Sequence, residues 1–191
     1  MGFALIPEPS TLALVILDPA QLTAELLAQL EPGRPSDENL RTAYWRKRSD
    51  IPADMDLDRD RCGVIWICPC FPFDGAGIAG AMARVHEIGL SHGFEPHIGM
   101  SPASPRAVNG YVSLMYDRNI DGEDGRAMAC HDALMEALIA LGHYPYRLGI
   151  QSIRALPPAR GAYDAVIGAI RAALDPDEIL APGRYDHPPR R

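Results

Sequence analysis

Gly63-Val64-Ile65-Trp66-Ile67-Cys68 is the stretch on which the fold turns: a short, continuously apolar run with β-branched and aromatic side chains. It has the length of a strand, and those side chains suit a pleated, half-buried surface. Downstream, the spacing predicts a helix over 77–92, ended by Gly93, and strands over 97–101 and 108–116. Alternation puts Val112, Leu114 and Tyr116 on one face of the second of these strands. The turn between them is expected to carry Pro102, Pro105 and the Asn109-Gly110 pair. A second helix over 125–141 aligns Cys130, Leu134, Ala137, Leu138 and Leu141, with Gly142 as its cap. A fourth strand is expected over 144–150. The order strand-helix-strand-strand-helix-strand is that of the split βαβ, ferredoxin-like unit. The expected class is therefore α+β, an antiparallel sheet with helices on one face.

Outward from this core of 61–150, residues 1–34 read as a βα fragment. A strand over 11–17 precedes a helix from about Pro19 to Leu30, with Leu22, Leu26, Leu27 and Leu30 at helical spacing. Residues 35–60 read as a long, charged surface connection with one helical turn near 39–45. Residues 151–191 hold a last helix over about 163–174 and a Pro/Gly-rich tail. The whole of 1–191 is read as one domain.

The chain has 191 residues, 47% hydrophobic and 23% charged, which excludes wholesale disorder and a coiled coil. The longest apolar run, Leu12-Ala13-Leu14-Val15-Ile16-Leu17, is far short of the ~20 residues of a membrane helix. The net charge of −7 and the lack of a basic stripe argue against nucleic acid as a partner. Four cysteines in this length make no disulfide scaffold. Met1-Gly2-Phe3-Ala4-Leu5-Ile6-Pro7-Glu8-Pro9 lacks the basic and apolar regions of a signal peptide, so a cytoplasmic location is expected.

Three motifs invite chemistry and weaken on inspection. Gly75-Ala76-Gly77-Ile78-Ala79-Gly80 matches GxGxxG, with Glu95 20 residues beyond Gly75. A dinucleotide fold closes its turn at the first glycine, directly at the strand's end. Here Pro69-Cys70-Phe71-Pro72-Phe73-Asp74 intervenes, so glycines at a helix start are the better reading. Asp54-Met55-Asp56-Leu57-Asp58-Arg59-Asp60 begins like a calcium loop. It puts Arg59 where the turn needs Gly and Ile65 where a bidentate Glu belongs, so a solvated charged loop is expected. Cys68-Pro69-Cys70, with Cys62 upstream and no nearby His, lacks metal spacing and reads as a buried pair of free thiols; no metal site is expected. Tyr144-Pro145-Tyr146-Arg147, taken alone, reads as an edge strand with an exposed Arg.

Taken in order, five segments change that weighting. They are Ala43-Tyr44-Trp45-Arg46-Lys47-Arg48, Cys62-Gly63-Val64-Ile65-Trp66-Ile67-Cys68-Pro69, Val112-Ser113-Leu114-Met115-Tyr116-Asp117-Arg118, Tyr144-Pro145-Tyr146-Arg147 and Leu174-Asp175-Pro176-Asp177-Glu178-Ile179-Leu180-Ala181-Pro182-Gly183-Arg184. Together they resemble the C-terminal part of the flavoprotein family of 4-cresol dehydrogenase (hydroxylating) and vanillyl-alcohol oxidase. The resemblance implies a ferredoxin-like cap over a flavin held by a separate N-terminal FAD domain, which this sequence lacks. It assigns Tyr146 and Arg147 as catalytic, Trp66, Asn109 and Tyr111 as substrate-binding, and Val64 and Arg184 as cofactor-binding. A para-alkyl phenol surrenders hydride from its benzylic carbon far more readily as phenolate. Arg147 supplies a fixed charge and Tyr146 a donor, and both lower the phenol's pKa. Adjacent strand residues point to opposite faces, so both reach one oxygen only if the chain bends, at Pro145 for example.

The departures matter as well. The family often links FAD covalently; the aligned places here are Val64 and one near Leu57, and neither can serve. A pocket Glu and His of the family fall near Met100 and at Asn109. The implied cofactor is therefore FAD held non-covalently with a partner FAD domain, and none in the isolated chain. The implied partners are that domain on another chain, a cytochrome electron acceptor and a phenolic substrate. Two alternatives stand beside this reading: a truncated, inactive remnant, and a small-molecule-binding ferredoxin-like module.

Overall fold

The computed structural model describes residues 37–47, 49–153, 155 and 161–180. The chain divides into two units, Met1–Asn39 and Leu40–Arg191. The expected strand over 11–17, the helix from Pro19 to Leu30 and Arg184 lie outside the described residues.

The second unit holds β1 (Cys62–Pro72), α1 (Gly75–Ser91), β2 (His97–Ser104), β3 (Ala107–Asp117), α2 (Glu123–Ala140), β4 (Pro145–Arg147) and α3 (Ala162–Leu174). The sheet order is β2-β3-β1-β4 with every pair antiparallel, which is the split βαβ arrangement. Alternation divides the sheet cleanly. Ile65, Ile67 and Phe71 of β1 and Val112, Leu114 and Tyr116 of β3 form one core with Val85 of α1 and Cys130, Leu134 and Leu138 of α2. Both helices thus cover one face. Val64, Trp66, Cys68 and Cys70 of β1, with Asn109, Tyr111 and Ser113 of β3, belong to the other.

Both helices end as the glycines predicted. Gly93 (φ 78°) and Gly142 (φ 85°) take the left-handed conformation that L side chains resist. Phe94 N–H then reaches Gly89 C=O, and His143 N–H reaches Leu138 C=O, closing a Schellman motif at each end. At the start of α1, the Asp74 carboxylate accepts from Ala76 N–H and Gly77 N–H, at 3.1 Å each.

Several expectations need correction. The β2–β3 hairpin turns at Pro105-Arg106, with Ser104 paired to Ala107, while Asn109 and Gly110 lie inside β3. β1 runs to Pro72 rather than stopping at Cys68. Leu141 is 53% exposed, because α2 has already ended and the chain is leaving the core. The fourth strand shrinks to three residues, followed by a 3-10 turn at Ile150–Ser152.

The connection before β1 is built into the fold. A 3-10 helix at Glu38–Tyr44 places Ala43 and Tyr44 against Cys62, with Met55, Leu57 and Val64 packed around them. Lys47 donates to Asp117 at 2.6 Å, both side chains being largely buried. Glu123, itself buried, takes Arg46 and Arg126, and those two guanidiniums stand 5.1 and 5.2 Å from the Phe94 ring centre. Among the described residues, no helix is long and apolar enough to cross a membrane.

Candidate functional site

β4 is a thin edge held to β1 by two pairs, Cys68↔Arg147 and Pro69↔Pro145, with a register shift between them. The cause is chemical. Proline has no N–H to give a ladder, so two opposed prolines leave it open at that step and favour a bulge. Pairing resumes at once, where Cys70 N–H donates to Tyr144 C=O at 2.9 Å. The bulge answers the geometric objection to a Tyr-Arg pair on a strand. Arg147, directly opposite Cys68, shares its face. Tyr146 also interacts with the Cys68 thiol and with Tyr111. Both side chains therefore stand beside Cys68, on the sheet face away from the helices.

The neighbours follow from the β1–β3 register. The Tyr111 ring meets the Tyr146 ring edge-on at 6.3 Å, and its hydroxyl lies 2.7 Å from Ser101 Oγ. Trp66, opposite Ser113, is 52% exposed on the same face. Asn109 stands in one row with Cys70 and Ser101. Neither Arg147 nor Asn109 makes a side-chain hydrogen bond among the described residues. The structure thus gathers Tyr146, Arg147, Tyr111, Trp66 and Asn109 onto one sheet face.

Electrostatics fix the protonation states. Burial, then the neighbouring Cys68 and Tyr111, push the Tyr146 hydroxyl up to about 12, so at neutral pH it keeps its proton and can donate. Burial also pushes the Cys68 thiol up, against the opposing pull of Tyr146 and Arg147. The site therefore carries one fixed positive charge and a protonated donor, the equipment for holding an oxyanion.

The described residues do not fit a dinucleotide. The α1 N-terminus, where a pyrophosphate would sit, is already taken by the Asp74 carboxylate. Val64 and Leu57 are both packed into the small cluster around Tyr44. No group of three or more His, Cys, Asp or Glu able to hold a metal occurs among the described residues. Of the calcium-like loop, Asp54 and Asp60 pair with Arg59, and Asp56 caps the N–H groups of Asp58 and Arg59.

No family model matches the chain. The chain is 53% identical over 154 residues to 1'-carboxy-chondrochloren decarboxylase of Chondromyces crocatus, covering 81% of this chain and 28% of that protein. It is 29% identical over 162 residues to the 4-cresol dehydrogenase [hydroxylating] flavoprotein subunit of Pseudomonas putida, covering 82% and 28%. A structure of p-cresol methylhydroxylase with substrate bound matches at TM-score 0.56 and 25% identity, over 64% of this chain and 24% of that one. The chain belongs to the 4-cresol dehydrogenase and vanillyl-alcohol oxidase flavoprotein family. A 4-ethylphenol oxidase from Gulosibacter chungangensis, in its isoeugenol complex, shares the fold at TM-score 0.60 and 19% identity, covering 71% of this chain and 27% of that one. The chain spans about 28% of the length of the curated relatives it matches.

Against the 4-cresol dehydrogenase family pattern, one expectation changes. Met100 pairs with Gly110 and packs on the helix side, so it does not line the open face. Its neighbour Ser101 does, and it holds the Tyr111 hydroxyl. Sequence reasoning missed Ser101 and the central place of Cys68. The signal that finds both is strand parity: Ser101 shares a row with Asn109 and Cys70, and Cys68, two residues before Cys70, lies on the same face.

Proposed function

We propose that this chain is the substrate-side (cap) portion of an FAD-dependent oxidoreductase acting on para-substituted phenols, with FAD held non-covalently by a domain on another chain. The observation that carries it is the bulge at Pro69 and Pro145, which brings Tyr146 and Arg147, the latter with no side-chain hydrogen bond among the described residues, to one spot beside Cys68. A free phenol loses its proton near pH ~10. A fixed cation and a hydrogen bond to the charged form both lower that value. Arg147 supplies the first, and Tyr146, still protonated at neutral pH, the second. Tyr111 and Trp66 offer aromatic surface for the ring, and Ser101 sets the Tyr111 hydroxyl. An electron acceptor, with a cytochrome beyond it, belongs to the partner chain.

A phenolate would favour departure of hydride from its benzylic carbon to a bound flavin, leaving a quinone methide. The dehydrogenase reading stops there. The 53% identity to a protein named as a decarboxylase favours an added step as an alternative: a carboxylate on the carbon next to the benzylic one would leave as carbon dioxide, its electron pair flowing into the quinone methide and restoring the phenolate. Titrating para-ethylphenol into the full chain, and following phenolate absorbance against pH, tests the common step. Bound phenol is expected to ionise below its free value. Arg147→Ala should weaken phenolate binding by about ten- to a hundredfold, since a charge-assisted hydrogen bond is worth roughly 1.5–3 kcal/mol. Arg147→Lys should recover part of it, keeping the charge but not the planar fork. An Arg147→Ala chain that binds and ionises the phenol like the wild type overturns the reading. With a flavin partner supplied, para-hydroxyphenylpropanoate, whose carboxylate lies one carbon beyond the benzylic position, separates the two courses: carbon dioxide and a vinylphenol mark the added step, oxidation without carbon dioxide the dehydrogenase course.

A further inference from the structure

We propose that His131 is a positioning residue for the Tyr146–Arg147 corner, acting through Ser152 on the segment that follows β4; this rests on the phenolate reading above. Two pairs to β1, interrupted by a register shift, are a weak hold on a strand that must aim a guanidinium. The strand is instead tied at both ends to α2. Upstream, the α2 cap bonds His143 N–H to Leu138 C=O, and the His143 ring lies 4.7 Å from that of Phe71. Downstream, Leu148 is buried, and the 3-10 turn at Ile150–Ser152 returns to α2, where His131 Nε2 lies 2.8 Å from Ser152 Oγ. His131 is 1% and Ser152 3% exposed, so this bond is shielded from water.

The surroundings give that bond its place as a buried polar tie. Ile150 is 84% exposed and contributes no packing. A groove of about 420 Å³ opens beside the turn, between Gln151, Ser152 and Ala155 on one side and Met135, Glu136 and Ile139 of α2 on the other. Apolar contact holds the segment on either side, at Leu148 and Ala155, and the His131–Ser152 bond is the side-chain polar tie between them. His131 is itself aimed by its second nitrogen, since Nδ1 lies 2.9 Å from Asp132 Oδ1 at the exposed end of the chain of bonds. The order Ser152, His131, Asp132 has the connectivity of a nucleophilic triad. Ser152 borders the groove but is only 3% exposed, its Oγ is held by His131, and its N–H is spent on Gly149 C=O and so offers no oxyanion donor. A strut is what remains.

The test uses the full chain and para-ethylphenol. His131→Leu is expected to raise the pH at which bound phenol ionises by about half to one unit, a three- to tenfold weaker hold on the phenolate, the size of one neutral hydrogen bond. His131→Gln, whose amide can replace Nε2 against Ser152, should restore most of it. In an Arg147→Ala background, His131→Leu should add nothing to the ionisation shift, because its effect runs through Arg147. Should His131→Leu fail to fold, Ser152→Ala removes the same bond with less lost volume and should show the same shift. A variant that lowers Tm but leaves the ionisation pH unmoved overturns the inference alone, as does an equal shift with Arg147 absent. A wild-type chain that leaves the phenol un-ionised overturns the phenolate reading, and this inference with it.

Discussion

A Cβ on Gly110 would stand 2.6 Å from Phe71 Cε2 and 3.2 Å from Pro69 Cγ. Gly110 is thus in β3 because the Phe71 ring occupies its side-chain space, and not to make a turn. Gly110→Val should cost about 1–3 kcal/mol, the usual price of overpacking, read as a lower denaturation midpoint at unchanged m. The Tyr44–Asp60 contact makes a second prediction, in pH. Tyr44 donates to Asp60 at 2.5 Å. Arg59, then Tyr44, hold the Asp60 carboxyl well below its ordinary range, and burial, then Asp60, push Tyr44 up to about 12. A depressed carboxyl stabilises above its unfolded value of ~3.9 and loses that contribution as pH falls toward its lower folded value. A raised phenol stabilises fully below ~10 and loses its contribution as pH rises toward its folded value. Stability should therefore fall off at both ends, in acid through Asp60 with Arg59 and Tyr44, in alkali through the buried Tyr44 hydroxyl beside Asp60. Asp60→Asn should flatten the acid limb in pH-dependent thermal melts; an unchanged acid limb would remove Asp60 from the account.

At the scale of elements, the glycine motif at α1 is the sharpest case. Gly75 and Gly80 have nothing within 4 Å of an added Cβ, and the helix start is capped by Asp74. Gly80 is exposed in the helix interior, where Ala is favoured by about 1 kcal/mol. Gly80→Ala should raise Tm, whereas Asp74→Ala should cost about 0.5–2 kcal/mol as a lost N-cap; a destabilising Gly80→Ala would revive a ligand at that turn. The core elements were legible because alternation in β1 and β3 and the two glycine caps are local signals. The hairpin was misplaced because Asn109-Gly110 is a strong turn dipeptide, while only the pairing with β1 and β2 shows that those residues lie mid-strand. β4 was read too long because periodicity does not register that Pro145 would face Pro69. The roles of Ser101 and Cys68, and the binding of Lys47, Arg46 and Arg126 to Asp117 and Glu123, depend on register and on pairs far apart in sequence. Tyr146 and Arg147 stood out through the family resemblance, since an edge strand with an exposed arginine is otherwise unremarkable.

At the scale of the whole molecule, the sheet is covered on one face by α1 and α2, while its other face carries Tyr146, Arg147 and an exposed tryptophan. Under the proposed function, that face is where a flavin domain would dock. The two tryptophans give a direct readout. Trp66 is 52% exposed on the open face, and Trp45 is 53% exposed in the connection before β1. Covering the open face with a flavin domain, or seating a phenol against it, should exclude water from Trp66 and shift or quench its emission, leaving Trp45 as an internal reference. Trp66→Phe should abolish the change while Trp45→Phe preserves it. The pair of variants assigns the response to a face and not merely to binding. A response that survives Trp66→Phe and disappears with Trp45→Phe would place the contact on the connection instead, and the open sheet face would lose its claim as the site of assembly.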